Sequence, residues 1–205
     1  MNPVIPEEQL RKASDEELQF MSWAAEARKA GLISSWEYQG RTFDLLPSRS
    51  VTVTRQLKTK TKTVSRTLYR EHTYTPDFRI DLTPAGRRAF ADVFGYAQLT
   101  GHFQETGRLY IDTKGSFTVQ TAQTRLFSLN RKLMYHFHGL WVEKVNPWAG
   151  GKKFADCLFA KTWCPESERW MKNRKTPTLT VKGARCRTLA QFLEQTSETD
   201  AAKKE

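Results

Sequence analysis

Cysteine, acidic residues and long apolar runs are all scarce in this chain, and each scarcity narrows what the protein can be. Only three of its 205 residues are cysteine, Cys157, Cys164 and Cys186, spaced seven and 22 residues apart with no CxxC pair. The histidines His72, His102, His136 and His138 do not complete a ligand set with them, so a structural zinc site is not expected. No stretch approaches the ~18 consecutive apolar residues of a membrane-spanning helix. Met1 to Glu8 lacks the charged-then-apolar form of a signal peptide. These absences predict a soluble, cytoplasmic protein with no membrane partner. Acids are outnumbered, 22 Asp and Glu against 33 Lys and Arg, for a formal charge of +11 and a pI near 9.7. Such a balance draws a polyanion from a distance, although ribosomal and membrane-surface proteins share it. Hydrophobic content of 39%, with twelve Phe and six Trp, is enough for the core of one embellished domain.

Two segments carry candidate chemistry. Tyr74-Thr75-Pro76-Asp77-Phe78 leads into the alternating run Phe78 to Leu82, which reads as a half-buried strand. Leu109-Tyr110-Ile111-Asp112-Thr113-Lys114-Gly115 reads as a buried strand ended by glycine, with an acid two residues before a lysine. Two carboxylates on adjacent strands can hold a hard divalent cation through oxygen. A lysine on the same strand face as the second can reach a scissile phosphate or its attacking water. The alternative is bland: each half alone is ordinary, since Pro-Asp is common turn chemistry and strands carry surface acids.

A third acid has two readings. Ser14 is a candidate N-cap with Glu17 at N3, which makes a capping box, and the apolar positions Leu18, Met21, Trp23, Ala24, Ala25, Ala27 and Leu32 follow with mainly helical spacing around a stop at Gly31. Glu17 can therefore be a cap or a ligand. Asp15, Glu16 and Glu26 read as solvated face.

The stretch Ser14 to Gln39, with its Ser-x-x-Glu start and the later Tyr74 to Phe78, Ile111 to Gly115 and Phe127 to Met134 segments, resembles a phage-rich family of PD-(D/E)XK endonuclease-like proteins related to Holliday-junction resolvases. The resemblance spans roughly residues 14 to 146. It implies a restriction-endonuclease-like αβββαβ core, a mixed sheet flanked by helices. It implies a Mg²⁺ site, with Mn²⁺ as substitute, formed by Glu17, Asp77, Asp112 and the Thr113 carbonyl, with Lys114 beside it. Counting back fourteen residues from the helix-ending glycine selects Glu17 as that family's helix acid. DNA is the implied partner, with Arg125, Arg131 and Lys132 of the following helix on flanking phosphates; a homodimer is compatible with it. Branched DNA in phage replication, recombination or packaging is the implied substrate, in host cytoplasm. An exonuclease, a host-DNA-degrading nuclease and a non-catalytic DNA-binding protein are the rival readings. Asp112 departs from the glutamate of many relatives, and the insertions at about 48–70 and 83–107 leave substrate choice open.

The elements expected along the chain are helix 15–30, strands 34–46 and 72–82, a helical insertion from Pro84 to about Leu99, strand 107–113, helix 124–138 and strand 140–146. Within the first insertion lysines and threonines alternate. Lys58, Lys60 and Lys62 should project from one strand face, as a contact to a DNA backbone or as charges guarding an exposed edge. The expected organisation is a nuclease core over 1–149, an extension packed on it over 150–195 and a disordered tail over 196–205. Trp163 and Trp170 in that extension could stack bases or pack under a helix 165–173.

Overall fold

The computed structural model describes residues 5–114, 122–148, 155–169, 180–181 and 184–202. After a short helix α1 (Glu7–Lys12), helix α2 (Asp15–Lys29) opens on the capping box of Ser14 and Glu17, and Gly31 turns the chain out of it at φ 74°. Strand β1 (Ile33–Tyr38) follows, then β2 (Phe43–Leu46), β3 (Arg49–Gln56), β4 (Thr61–Tyr69), β5 (His72–Tyr74) and β6 (Phe78–Leu82). Helix α3 (Pro84–Ala89), a 3-10 turn at Ala97–Leu99 and helix α4 (Gly101–Thr106) lead to β7 (Arg108–Thr113), helix α5 (Ala122–His138) and β8 (Val142–Val145). The described remainder is α6 (Leu158–Lys161), a 3-10 turn at Ser167–Arg169, a two-residue pair β9 (Thr180–Val181) and β10 (Ala184–Arg185), and α7 (Leu189–Ala202). No helix among the described residues is long and apolar enough to cross a membrane.

The architecture is a mixed sheet flanked by helices. Its order is β1-β6-β7-β8, with the first two pairings antiparallel and β7-β8 parallel. Alternation along β7 divides the core. Leu109 and Ile111 join Phe20, Trp23, Ala24 and Ala27 of α2 on one face, while Tyr110 joins Phe127 and Met134 of α5 on the other.

Both long strands expected from the sequence break at the same level. Gln39 adopts φ 48° beside Gly40, and on the partner strand Pro76, which has no N–H to donate, interrupts the ladder. The break moves the hairpin from one core to the other: Tyr38 and Phe78 lie in the α2 core, Phe43, Leu45 and Tyr74 in the α5 core. Beyond it β2 and β5 pair, and β3 and β4 continue as a ribbon. The helical insertion is likewise two short helices, each capped by a threonine, Thr83 and Thr100.

Trp163 is fully buried, stacked on Trp23 at 5.3 Å, so base stacking is closed to it. Its indole donates to Glu26 Oε2 at 2.8 Å, and the Glu166 amide donates to Glu26 Oε1. Glu26 is thus a docking residue for the later segment rather than solvated face. Trp170 and the rest of 170–173 lie outside the described residues, and the described part of the expected helix 165–173 is only the 3-10 turn Ser167–Arg169. Helix α7 runs past Thr196 to Ala202, through the segment expected to be tail.

Candidate functional site

Asp77 falls where the hairpin crosses from one core to the other, between β5 and β6, and this brings it to the end of β7. Its Oδ2 accepts from the Thr113 amide at 2.7 Å and from Thr113 Oγ1 at 2.9 Å. Asp112, 4% exposed, points with Tyr110 toward the α5 core, where the Tyr74 hydroxyl donates to its Oδ2 at 2.5 Å. The Lys114 ammonium pairs with Asp112 Oδ1 and stands 3.9 Å from Asp77 Oδ2. Asp112 Oδ1 is enclosed, and the Lys114 ammonium is its partner.

Glu17 caps α2, and its other oxygen turns toward the candidate site. Oε2 accepts from the Ser14 amide at 2.6 Å, which closes the capping box, and Oε1 accepts from the Tyr38 hydroxyl at 3.1 Å. The cap holds α2 so that Glu17 faces Asp77 and Lys114 closely enough to act on both electrostatically. Tyr38 and Tyr74, which the sequence reading did not select, are the residues that orient two of the three acids. Tyr74 stands three residues before Asp77, but its contact is to Asp112, and only the pairing of β5 with β2 creates it.

The acids repel one another. Burial and then the Asp112 charge push the Asp77 carboxyl up to about 7, against the opposing pull of Lys114 and the Thr113 N–H. Burial works against the Lys114 ammonium, yet its contact with Asp112 and the charges of Asp77 and Glu17 outweigh that, and its pKa is raised. Burial and the neighbouring carboxylates hold the Tyr38 and Tyr74 phenols above their ordinary range.

As placed, no three His, Cys, Asp or Glu side chains among the described residues stand close enough together to hold a metal ion. The reason is visible in the contacts: the Lys114 ammonium pairs with Asp112 and leans toward Asp77, Thr113 draws in Asp77 Oδ2, and the cap draws in Glu17. The donor set still suits a hard cation. It is all oxygen, it is partly enclosed, and Asp112 Oδ1 already takes a cation, the Lys114 ammonium, as its partner.

Helix α5 distributes its basic residues unevenly. Arg125 and Lys132 are exposed. Arg131 is clamped between the Phe127 and Trp141 rings, 4.6 and 4.7 Å from their centroids, and burial lowers its pKa against the pull of Glu143, Tyr74 and Asp112. The ribbon places Lys58 and Lys60 in the turn between β3 and β4 and only Lys62 in a strand, so the three do not share one strand face. Compared with protein-family models, curated proteins and solved structures, the chain matches none.

Proposed function

We propose that this chain is a divalent-metal-dependent endonuclease that hydrolyses DNA phosphodiester bonds, with a PD-(D/E)XK core and branched or distorted phage DNA as its substrate. The observation that carries this reading is the meeting of Glu17, Asp77, Asp112 and Lys114, from a helix cap, a strand break and a strand end, at one end of the mixed sheet. Three acids beside one lysine in a chain of charge +11 is an arrangement with little use except to hold a cation against a polyanion.

Asp77 and Asp112, with Glu17 and the Thr113 carbonyl, would hold Mg²⁺ or Mn²⁺. Such an ion, when bound, polarises a phosphate and lowers the pKa of a coordinated water. Tyr74 holds Asp112 and Tyr38 holds Glu17 by one oxygen each, which limits how far either carboxylate must move to reach a cation. Lys114, beside Asp77 and Asp112, would neutralise charge developing on the phosphate. Arg125 and Lys132 are free to hold flanking phosphates, and Arg131 supports the Tyr74–Asp112 side of the site. Incubation with four-way junction, flap, linear duplex and single-strand DNA tests the reading. Strand breaks in Mg²⁺ but not in excess EDTA, favouring the branched substrates, are expected; no cleavage of any substrate in Mg²⁺ or Mn²⁺ would refute it.

A further inference from the structure

Between Leu45 and Arg70 the chain has no acid and seven cations, Arg49, Arg55, Lys58, Lys60, Lys62, Arg66 and Arg70. This stretch is the β3–β4 ribbon and its flanks, and every residue of the two strands except the partly buried Val53 and Val64 is exposed. Directly opposed residues of an antiparallel pair share a face. One face therefore carries Val51 with Arg66, Val53 with Val64, and Arg55 with Lys62, while the other carries Ser50 with Thr67, Thr52 with Ser65, Thr54 with Thr63, and Gln56 with Thr61. The second face is uncharged throughout. Lys58 and Lys60 extend the basic charge to the tip.

Two features of this ribbon call for an anionic partner. Arg55 and Lys62 are directly opposed like charges, a cross-strand pair that destabilises a hairpin. Elsewhere the fold matches cations with acids, as in Arg79 with Glu37 and Arg108 with Asp81. Among the described residues no ion pair includes a ribbon cation. An eight-residue strand extends about 25 Å at the usual rise, and a two-stranded ribbon fits the major groove of B-form DNA, about 12 Å across. The ribbon also springs from the candidate site: β5, the strand after β4, carries the Tyr74 that bonds Asp112.

From these features we infer that the β3–β4 ribbon is an arm for double-stranded DNA. It lies along the major groove with its Arg55, Lys62 and Arg66 face toward the phosphates and its tip lysines reaching the next strand. This deepens the nuclease reading by assigning the substrate a duplex limb beside the cut, and it rests on that reading only for the cut itself. The deep, narrow major groove of A-form RNA excludes such a ribbon.

Binding of the full chain to a labelled 30-base-pair DNA duplex, measured against salt in EDTA so that cleavage is silent, tests the arm separately from the catalytic assignment. The variant Arg55→Gln/Lys62→Gln/Arg66→Gln should reduce the slope of log binding constant against log salt by up to about three units. Thr52→Val/Thr54→Val/Thr63→Val, which alters the uncharged face at constant shape, should leave that slope unchanged. On a duplex RNA of equal length the arginine and lysine variant should bind with the slope of the unaltered chain. An unchanged DNA slope would overturn the proposal, as would an equal loss on duplex RNA or a loss confined to anionic lipid vesicles. All six positions are exposed in strands, so matching circular dichroism and melting curves establish that the variants fold.

Discussion

Glu17 divides its two carboxylate oxygens between the Ser14 amide and the Tyr38 hydroxyl, so one residue joins the start of α2 to the candidate site. Gln preserves an acceptor for the cap and a donor for Tyr38. Glu17→Gln should therefore cost under about 1 kcal/mol, while cleavage falls by at least about tenfold through the lost charge. Cleavage left near normal would mean that Glu17 only caps, because Gln also serves in a capping box. Asp77 gives a pH test in the protein without metal. Its pKa is raised in the fold, from 3.8 to about 7, so its contribution to stability is full below the unfolded value and is lost as pH rises through about 7. Asp77→Asn should then melt higher than the unaltered chain at about pH 8 in EDTA and gain little at about pH 4. A constant difference across that range would show that Asp77 is not strained by its neighbours.

At the scale of elements, α2 was legible because its signals are local: a Ser-x-x-Glu start, helical apolar spacing and a glycine stop. Strand β7 was legible for the same reason, an apolar run closed by Gly115. The paired breaks at Gln39 to Thr42 and Thr75 to Asp77 were not. Apolar residues recur on both sides of each break, and what changes is the core they join, which a single strand cannot reveal. Lys58 and Lys60 were assigned to a strand face because their alternation with threonine runs through the turn, and only the register of β3 with β4 locates it. Glu26 was missed because its partners, Trp163 and Glu166, are 137 and 140 residues away. That docking sets a further expectation. Trp163 stacks on Trp23 with no exposure, so Trp163→Ala should destabilise the fold by about 3–5 kcal/mol. Chemical denaturation measures this, and a cost below about 1 kcal/mol would show the later segment to be loosely held.

The molecule as a whole joins a strongly basic surface to an acidic recess. Lys and Arg exceed Asp and Glu by eleven, yet three acids meet beside Lys114 at one end of the sheet, with the ribbon leaving from the strand that supports Asp112. A purely DNA-binding protein would gain from replacing those acids, because each repels the polyanion. A metal-dependent nuclease requires them. Cleavage of a four-way junction in Mg²⁺ by the unaltered chain and by Asp112→Asn, with binding measured in parallel, tests this most directly. The account predicts that cleavage drops at least about a hundredfold while binding is kept or strengthened. Undiminished cleavage by Asp112→Asn would contradict it.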